Sequence, residues 1–219
     1  MGVELNGRKD EFIWSLNKRF FSVNSMYKDL MRENALPDFC VSWKLKLPLK
    51  INVFVWYLKK GVILAKDNLV KRNWKGCTKC CFCSREETIQ HLFFDCHMSR
   101  FIWNSLFLSF GITPPSSVAN LFGSWYKSFP LKYRKTIMIG TSALCWAIWL
   151  CRNDAIFKNS ITNSFLQVIF RGTYWIRSWS LLCKEEERVL LKERCKQLEC
   201  TVMEIFSKFG WKFRNRIEC

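Results

Sequence analysis

The sequence predicts a mainly α-helical, multi-helix domain with a small N-terminal β-hairpin and an embedded Cys-Cys-His-Cys knuckle. Three observations carry that expectation. Apolar residues recur at spacings of three and four through most of the 219 residues, the signature of helices with one buried face. Residues 11–25 (EFIWSLNKRFFSVNS) instead hold two short aromatic and β-branched runs parted by Asn17, Lys18 and Arg19, which reads as a hairpin. Residues 76–97 crowd cysteines into a stretch with little apolar period, so something besides burial must fold it.

Composition sets the outer limits. A chain that is 49% hydrophobic and 16% aromatic is no disordered tail, and its length allows one domain, or one and a half, that buries about 70% of the unfolded surface. The longest apolar run, residues 137–150, falls short of the roughly 20 residues that a bilayer span needs, so no membrane role is expected. The first twelve residues carry no apolar signal core and no small-residue cleavage site. The expected location is therefore intracellular, nucleus or cytoplasm, and not secreted.

Each element can be justified in order. After the hairpin, Ser22, Asn24 or Ser25 can cap a helix running to Asn34, with Met26, Tyr27, Leu30 and Met31 on its apolar face and Pro37 as its stop. Beyond Pro48, the residues Ile51, Val53, Phe54, Trp56, Tyr57 and Leu58 predict a helix with an aromatic inner stripe, ended by Gly61. A short helix over 65–72 is expected to turn Leu69 and Val70 inward and Lys66, Lys71 and Arg72 outward. Helical spacing returns over 99–110, and Gly111 to Ser117 (GITPPSS) is the clearest loop, taken as the boundary between residues 1–110 and a helical region 111–219. Four helices follow, near 117–128, 131–158, 163–183 and 184–208. The last repeats Leu191, Cys195, Leu198, Val202 and Ile205 between charged residues, a seam for another helix of the chain or of a second copy. Glu185, Glu186 and Glu187 suit its first turn, where the helix dipole favours negative charge.

The segment CTKCCFCSREETIQHLFFDCH carries the chemistry. Cys80 and Cys83 are two residues apart, His91 follows after seven more and Cys96 after four. Two thiolates at that spacing wrap one cation, and soft sulfur with one imidazole selects zinc over hard cations. Four protein ligands leave no place for a reactive water, so the zinc is expected to be structural. Cys77, Cys81 and His97 stand close enough to substitute, because Cys77 and Cys80 form a second Cys-x2-Cys pair. The bland reading is that these are buried thiols in a chain with 12 cysteines.

Charge points outward from this module. There are 35 Lys and Arg against 18 Asp and Glu, a net charge of +17, which draws polyanions. Lys44, Lys46, Lys50, Lys59, Lys60, Lys66, Lys71, Arg72, Lys75 and Lys79 precede the knuckle with only Asp67 against them. All but Lys66 are the expected phosphate contacts. Trp43, Trp56, Tyr57 and Trp74 lie among them, either as core or as stacking surfaces for exposed bases.

No enzyme is expected. The sequence has no glycine-rich phosphate loop, no Gly-x-Ser-x-Gly elbow and no His-Glu-x-x-His helix, and its acids form no evident two-metal set. Its two histidines both sit beside the cysteines.

Several motifs together resemble a known family. They are Phe21-Ser22-Val23-x-Ser25-x-Tyr27, Trp43-Lys44-x-Lys46-x-Pro48-x-Lys50-x-x-x-Phe54-x-Trp56, Leu69-x-x-Arg72, Cys80-x2-Cys83, Glu86-Glu87-Thr88, His91-Leu92-Phe93-x-x-Cys96 and Trp103. Over roughly residues 12–105 they look like the reverse transcriptase zinc-binding domain at the C-terminal end of plant LINE-type (non-LTR) retrotransposon polyproteins. Residues Trp146-Ala147-Ile148-Trp149-x-x-Arg152-Asn153-Asp154-x-x-Phe157 resemble the tail that follows it. The resemblance implies zinc on Cys80, Cys83, His91 and Cys96, in a module at 77–97, and a place near the element's RNA or DNA target. No polymerase Asp-Asp signature or ribonuclease H acid set accompanies it, so the chain looks like a detached, non-catalytic piece. The sequence-level function is thus a non-catalytic, zinc-binding module that binds RNA or single-stranded or target DNA. Its rivals are a zinc-stapled module that pairs with a protein or with itself through the C-terminal helices, and a transposon remnant without function.

Overall fold

The computed structural model describes residues 45–158 and 164–209. The expected N-terminal hairpin, the helix ending at Asn34, and Trp43 and Lys44 lie outside the described residues.

Helix α1 (Leu49–Lys60) starts directly after Pro48 and buries Ile51, Phe54, Val55 and Leu58. Gly61 ends it with φ 68°, a left-handed conformation that lacks a Cβ penalty in glycine, while Gly61 N–H and Val62 N–H close on the Leu58 and Tyr57 carbonyls. Trp56 is only half-buried and Tyr57 is exposed, so the inner stripe is more aliphatic than the spacing suggested.

Around helix α2 (Lys66–Val70) Lys71 and Arg72 face outward as expected and Leu69 is half-buried, but two residues depart from the expected facing. Lys66 is buried and Val70 is 44% exposed. The cause is a specific acceptor: Lys66 Nζ donates to the Lys79 carbonyl at 2.5 Å, which outweighs the helical apolar pattern in an element of five residues.

Next come a π-helical turn (His91–Asp95), α3 (His97–Phe110), and α4 (Val118–Asn120), which continues into a second π-helical segment (Leu121–Trp125) kinked at Gly123. Ser117 caps α4 by accepting from Asn120 N–H at 3.1 Å. Three long helices complete the fold, α5 (Leu131–Phe157), α6 (Phe165–Ser180) and α7 (Glu185–Phe209). At the start of α7 the Glu187 carboxylate reaches back to Lys184 N–H at 3.3 Å, the reciprocal half of a capping box.

Helix α6 packs between α5 and α7, α3 lies against α7 and α6, and α1 rests on α5. One apolar core runs through them, from Leu45 to Val202. The α7 seam is spent inside this chain: Leu191, Cys195, Leu198 and Val202 are all buried. Arg177 clamps Glu199 through two bonds of 2.5 and 2.7 Å between α6 and α7, and Arg171 holds Asp154 at 2.5 Å between α6 and α5. Cys145 and Cys195 are core residues whose thiols burial pushes up to about 12, so they stay protonated and unreactive. Among the described residues no helix is long and apolar enough to cross a membrane.

Candidate metal centre

The knuckle is built by backbone bonds where apolar packing is thin. Cys80 N–H donates to the Arg85 carbonyl at 2.8 Å, and Lys79 pairs with Glu86 in a single antiparallel bridge. The chain therefore doubles back within residues 80–85, which brings Cys83 over Cys80. Phe82 N–H points at Cys80 Sγ at 3.4 Å, the amide-to-sulfur contact expected of such a turn.

The other two donors come from the π-helical turn. Residues five apart on an α-helix lie about 140° apart, too far to share one ligand position. A π turn bonds residue i to i+5 and stacks them, and Cys96 N–H accordingly donates to the His91 carbonyl at 2.8 Å. Thr88 fixes the start of this turn by accepting His91 N–H at 2.9 Å. Cys96 then leaves the turn with extended backbone and stands as N-cap of α3.

These pieces bring Cys80, Cys83, His91 and Cys96 together, their ligand atoms all within 4.8 Å of one another. Cys83 Sγ lies 3.0 Å from His91 Nε2, and Cys80 Sγ lies 4.0 Å from Cys96 Sγ. A tetrahedral zinc with sulfur at about 2.3 Å and nitrogen at about 2.0 Å has edges of about 3.5–3.8 Å; the observed separations fall on both sides of that range, so side-chain shifts of about half an ångström or less would seat the ion. Three of the four are buried and Cys83 is half-buried. Hydrogen bonds from Cys81 and then Cys96 hold the Cys80 thiol far below the usual thiol range, and the same bond to Cys80 pushes Cys96 up. A cation at the centre would take over that stabilisation and free every ligand of its proton. Cys77, Cys81 and His97 stand outside the group.

A buried ion pair bolts this module to the long helices, and sequence reasoning assigned it no role. Glu87 is 1% and Arg152 2% exposed. Glu87 Oε1 accepts from Arg152 Nη2 at 2.8 Å, Arg152 Nε at 3.1 Å and Lys66 N–H at 3.1 Å. Arg152 also lies 5.0 Å from the Trp149 ring centroid. Two charges 65 residues apart leave no local pattern to read. Further ties run from α3, where Trp103 Nε1 donates to the Phe93 carbonyl at 2.7 Å.

The expected phosphate contacts are mostly at the surface. Lys46, Lys50, Lys60, Lys71, Arg72, Lys75 and Lys79 are exposed and Lys59 is half-buried. None of the seven exposed cations pairs with a described carboxylate, because the ion pairs among the described residues lie at Glu87 and in α5 to α7. Lys50 Nζ stands 5.1 Å over the Trp146 ring and Lys71 Nζ donates to Asn68 Oδ1 at 2.9 Å.

Residues 21–103 match the model of a family described as zinc-binding in reverse transcriptase, a binding domain and not a catalytic one. No curated protein and no solved structure matches the chain. The four-donor group lies inside the matched span, so over residues 21–103 the chain is similar to the zinc-binding domain of reverse transcriptases.

Proposed function

We propose that this is a non-catalytic nucleic-acid-binding module, related to the zinc-binding part of LINE-type reverse transcriptases, in which a structural zinc on Cys80, Cys83, His91 and Cys96 fixes a basic surface. The observation that carries the reading is the placement of exposed cations on α1, on the turn after α2 and on the knuckle strand at Lys79, with half-buried Asp67 as the only acid among them. Lysines there neutralise phosphates, and the zinc-held backbone sets their spacing. Chemistry on the nucleic acid is not part of the proposal, because all four metal positions are filled by protein.

The test is binding of the full chain to RNA and to single-stranded DNA across a salt titration. Phosphate-driven binding falls steeply and log-linearly as salt rises, and chelation of zinc weakens it. Binding that is absent at low salt, or unchanged between low and high salt, overturns the proposal.

A further inference from the structure

Of the aromatic residues interleaved with the lysines, Trp74 is presented in a way that packing alone does not require. It follows α2 in a Schellman turn: Asn73 takes the left-handed position at φ 63°, Asn73 N–H bonds the Val70 carbonyl at 2.9 Å and Trp74 N–H the Leu69 carbonyl at 3.2 Å. Asparagine is one of the few residues that tolerate that conformation.

The indole folds back over Gly76, where a Cβ would collide with Cζ2, Cη2 and Cε2 of the ring. A side chain at residue 76 would force the ring out of this position. The benzo edge of the indole thus rests against the backbone at Gly76, and Trp74 is still 39% exposed. On either side of it in sequence stand Lys71, Arg72 and Lys75, all exposed. The turn is rigidly joined to the metal module, since Lys66 N–H and Asp67 N–H both bond Glu87 and Gly76 leads directly into the knuckle.

From this we infer that Trp74 is a stacking platform for an unpaired base, which makes the surface selective for single-stranded nucleic acid over duplex. The inference rests on the nucleic-acid reading above and adds the residue and the strand state. A flat indole flanked by cations accepts the face of any base while the cations hold the neighbouring phosphates, and a paired base offers no free face. Sequence preference is therefore expected to be weak.

The experiment measures affinity of the full chain for a short unstructured RNA, for the same sequence as DNA and for the RNA duplex at one salt concentration. Zinc content is checked in every variant. Trp74→Ala is expected to lose about tenfold or more on both single strands, with duplex affinity and the salt slope unchanged, and Trp74→Phe to recover most of the loss. A triple variant, Lys71→Gln with Arg72→Gln and Lys75→Gln, weakens single strand and duplex alike. If the triple variant weakens binding while Trp74→Ala does not, the platform is wrong and the basic surface stands. Equal loss on single strand and duplex in Trp74→Ala also overturns it, since the ring then only supports the turn. A wild-type chain that binds none of the three probes removes both readings.

Discussion

Between Gly76 and Cys96 the chain makes one isolated bridge and a π-helical turn, whereas α5, α6 and α7 run for 27, 16 and 25 residues. The long helices are held by buried side chains such as Leu144, Ile148, Ile169 and Leu198. The π-helical turn shares that core through Leu92, Phe93 and Phe94, but residues 76–90 bury only Cys80, Phe82 and Ile89 among their apolar side chains, and the knuckle instead converges four donor atoms on one point. The difference teaches where folding free energy comes from in each: area removed from water in the helices, and ligation in the knuckle. Glu87 and Arg152 join the two.

The largest expected effect follows from removing the metal. Structural zinc sites contribute about 10–16 kcal/mol of apparent binding energy, so chelation should release residues 77–90 to fast amide exchange while residues 139–151 of α5 stay protected. Loss of protection in both regions together would break the comparison and make the knuckle part of the helical core. Next is the joint between them. Arg152→Ala leaves a buried carboxylate unpaired and should cost about 3–5 kcal/mol in denaturant unfolding, and Glu87→Gln with Arg152→Met should recover much of that. A cost under about 1 kcal/mol would show that the pair is not buried in solution.

In the helices alone, Leu198→Ala should cost about 3 kcal/mol through the cavity it opens, with zinc stoichiometry intact. Zinc loss in step with stability would sharpen the comparison the other way, by showing that the site depends on the core. The smallest effect is acidic. The Arg177 guanidinium holds the Glu199 carboxyl below the ordinary glutamate range, so the native state binds that proton more weakly than the unfolded chain. The clamp stabilises fully above pH of about 4.3 and weakens as pH falls through the lowered value, with Glu199→Gln costing about 1 kcal/mol or less at neutral pH. Thiolate ligands take up protons more readily, so zinc should leave at a higher pH than the one at which the helices melt.

Local chemistry was the legible part. The four donors are near neighbours in sequence, and Gly61 and Gly111 mark helix ends by backbone freedom, so spacing located the helix ends and narrowed the donors to a short segment in which Cys77, Cys81 and His97 stayed open as alternates. The long helices followed from apolar period for the same reason. What spacing could not show was set by partners far along the chain. Lys66 is buried because the Lys79 carbonyl accepts its ammonium, while Val70, at the end of the short helix, is exposed. Whether the Leu191 to Val202 seam faced inward or toward a second copy depended on where α6 and α3 lie. Trp74 and Trp56 look equivalent in sequence, yet Trp74 is exposed in the turn at Gly76 while Trp56 is half-buried on α1.

The most direct test of the central claim, that zinc folds the knuckle through four named residues, is elemental analysis of zinc per chain in the wild type and in Cys83→Ala. The account predicts one zinc per wild-type chain and none in the variant, with residues 77–90 unfolded in the latter. A wild type without zinc, or a Cys83→Ala chain that keeps a full equivalent, would contradict it.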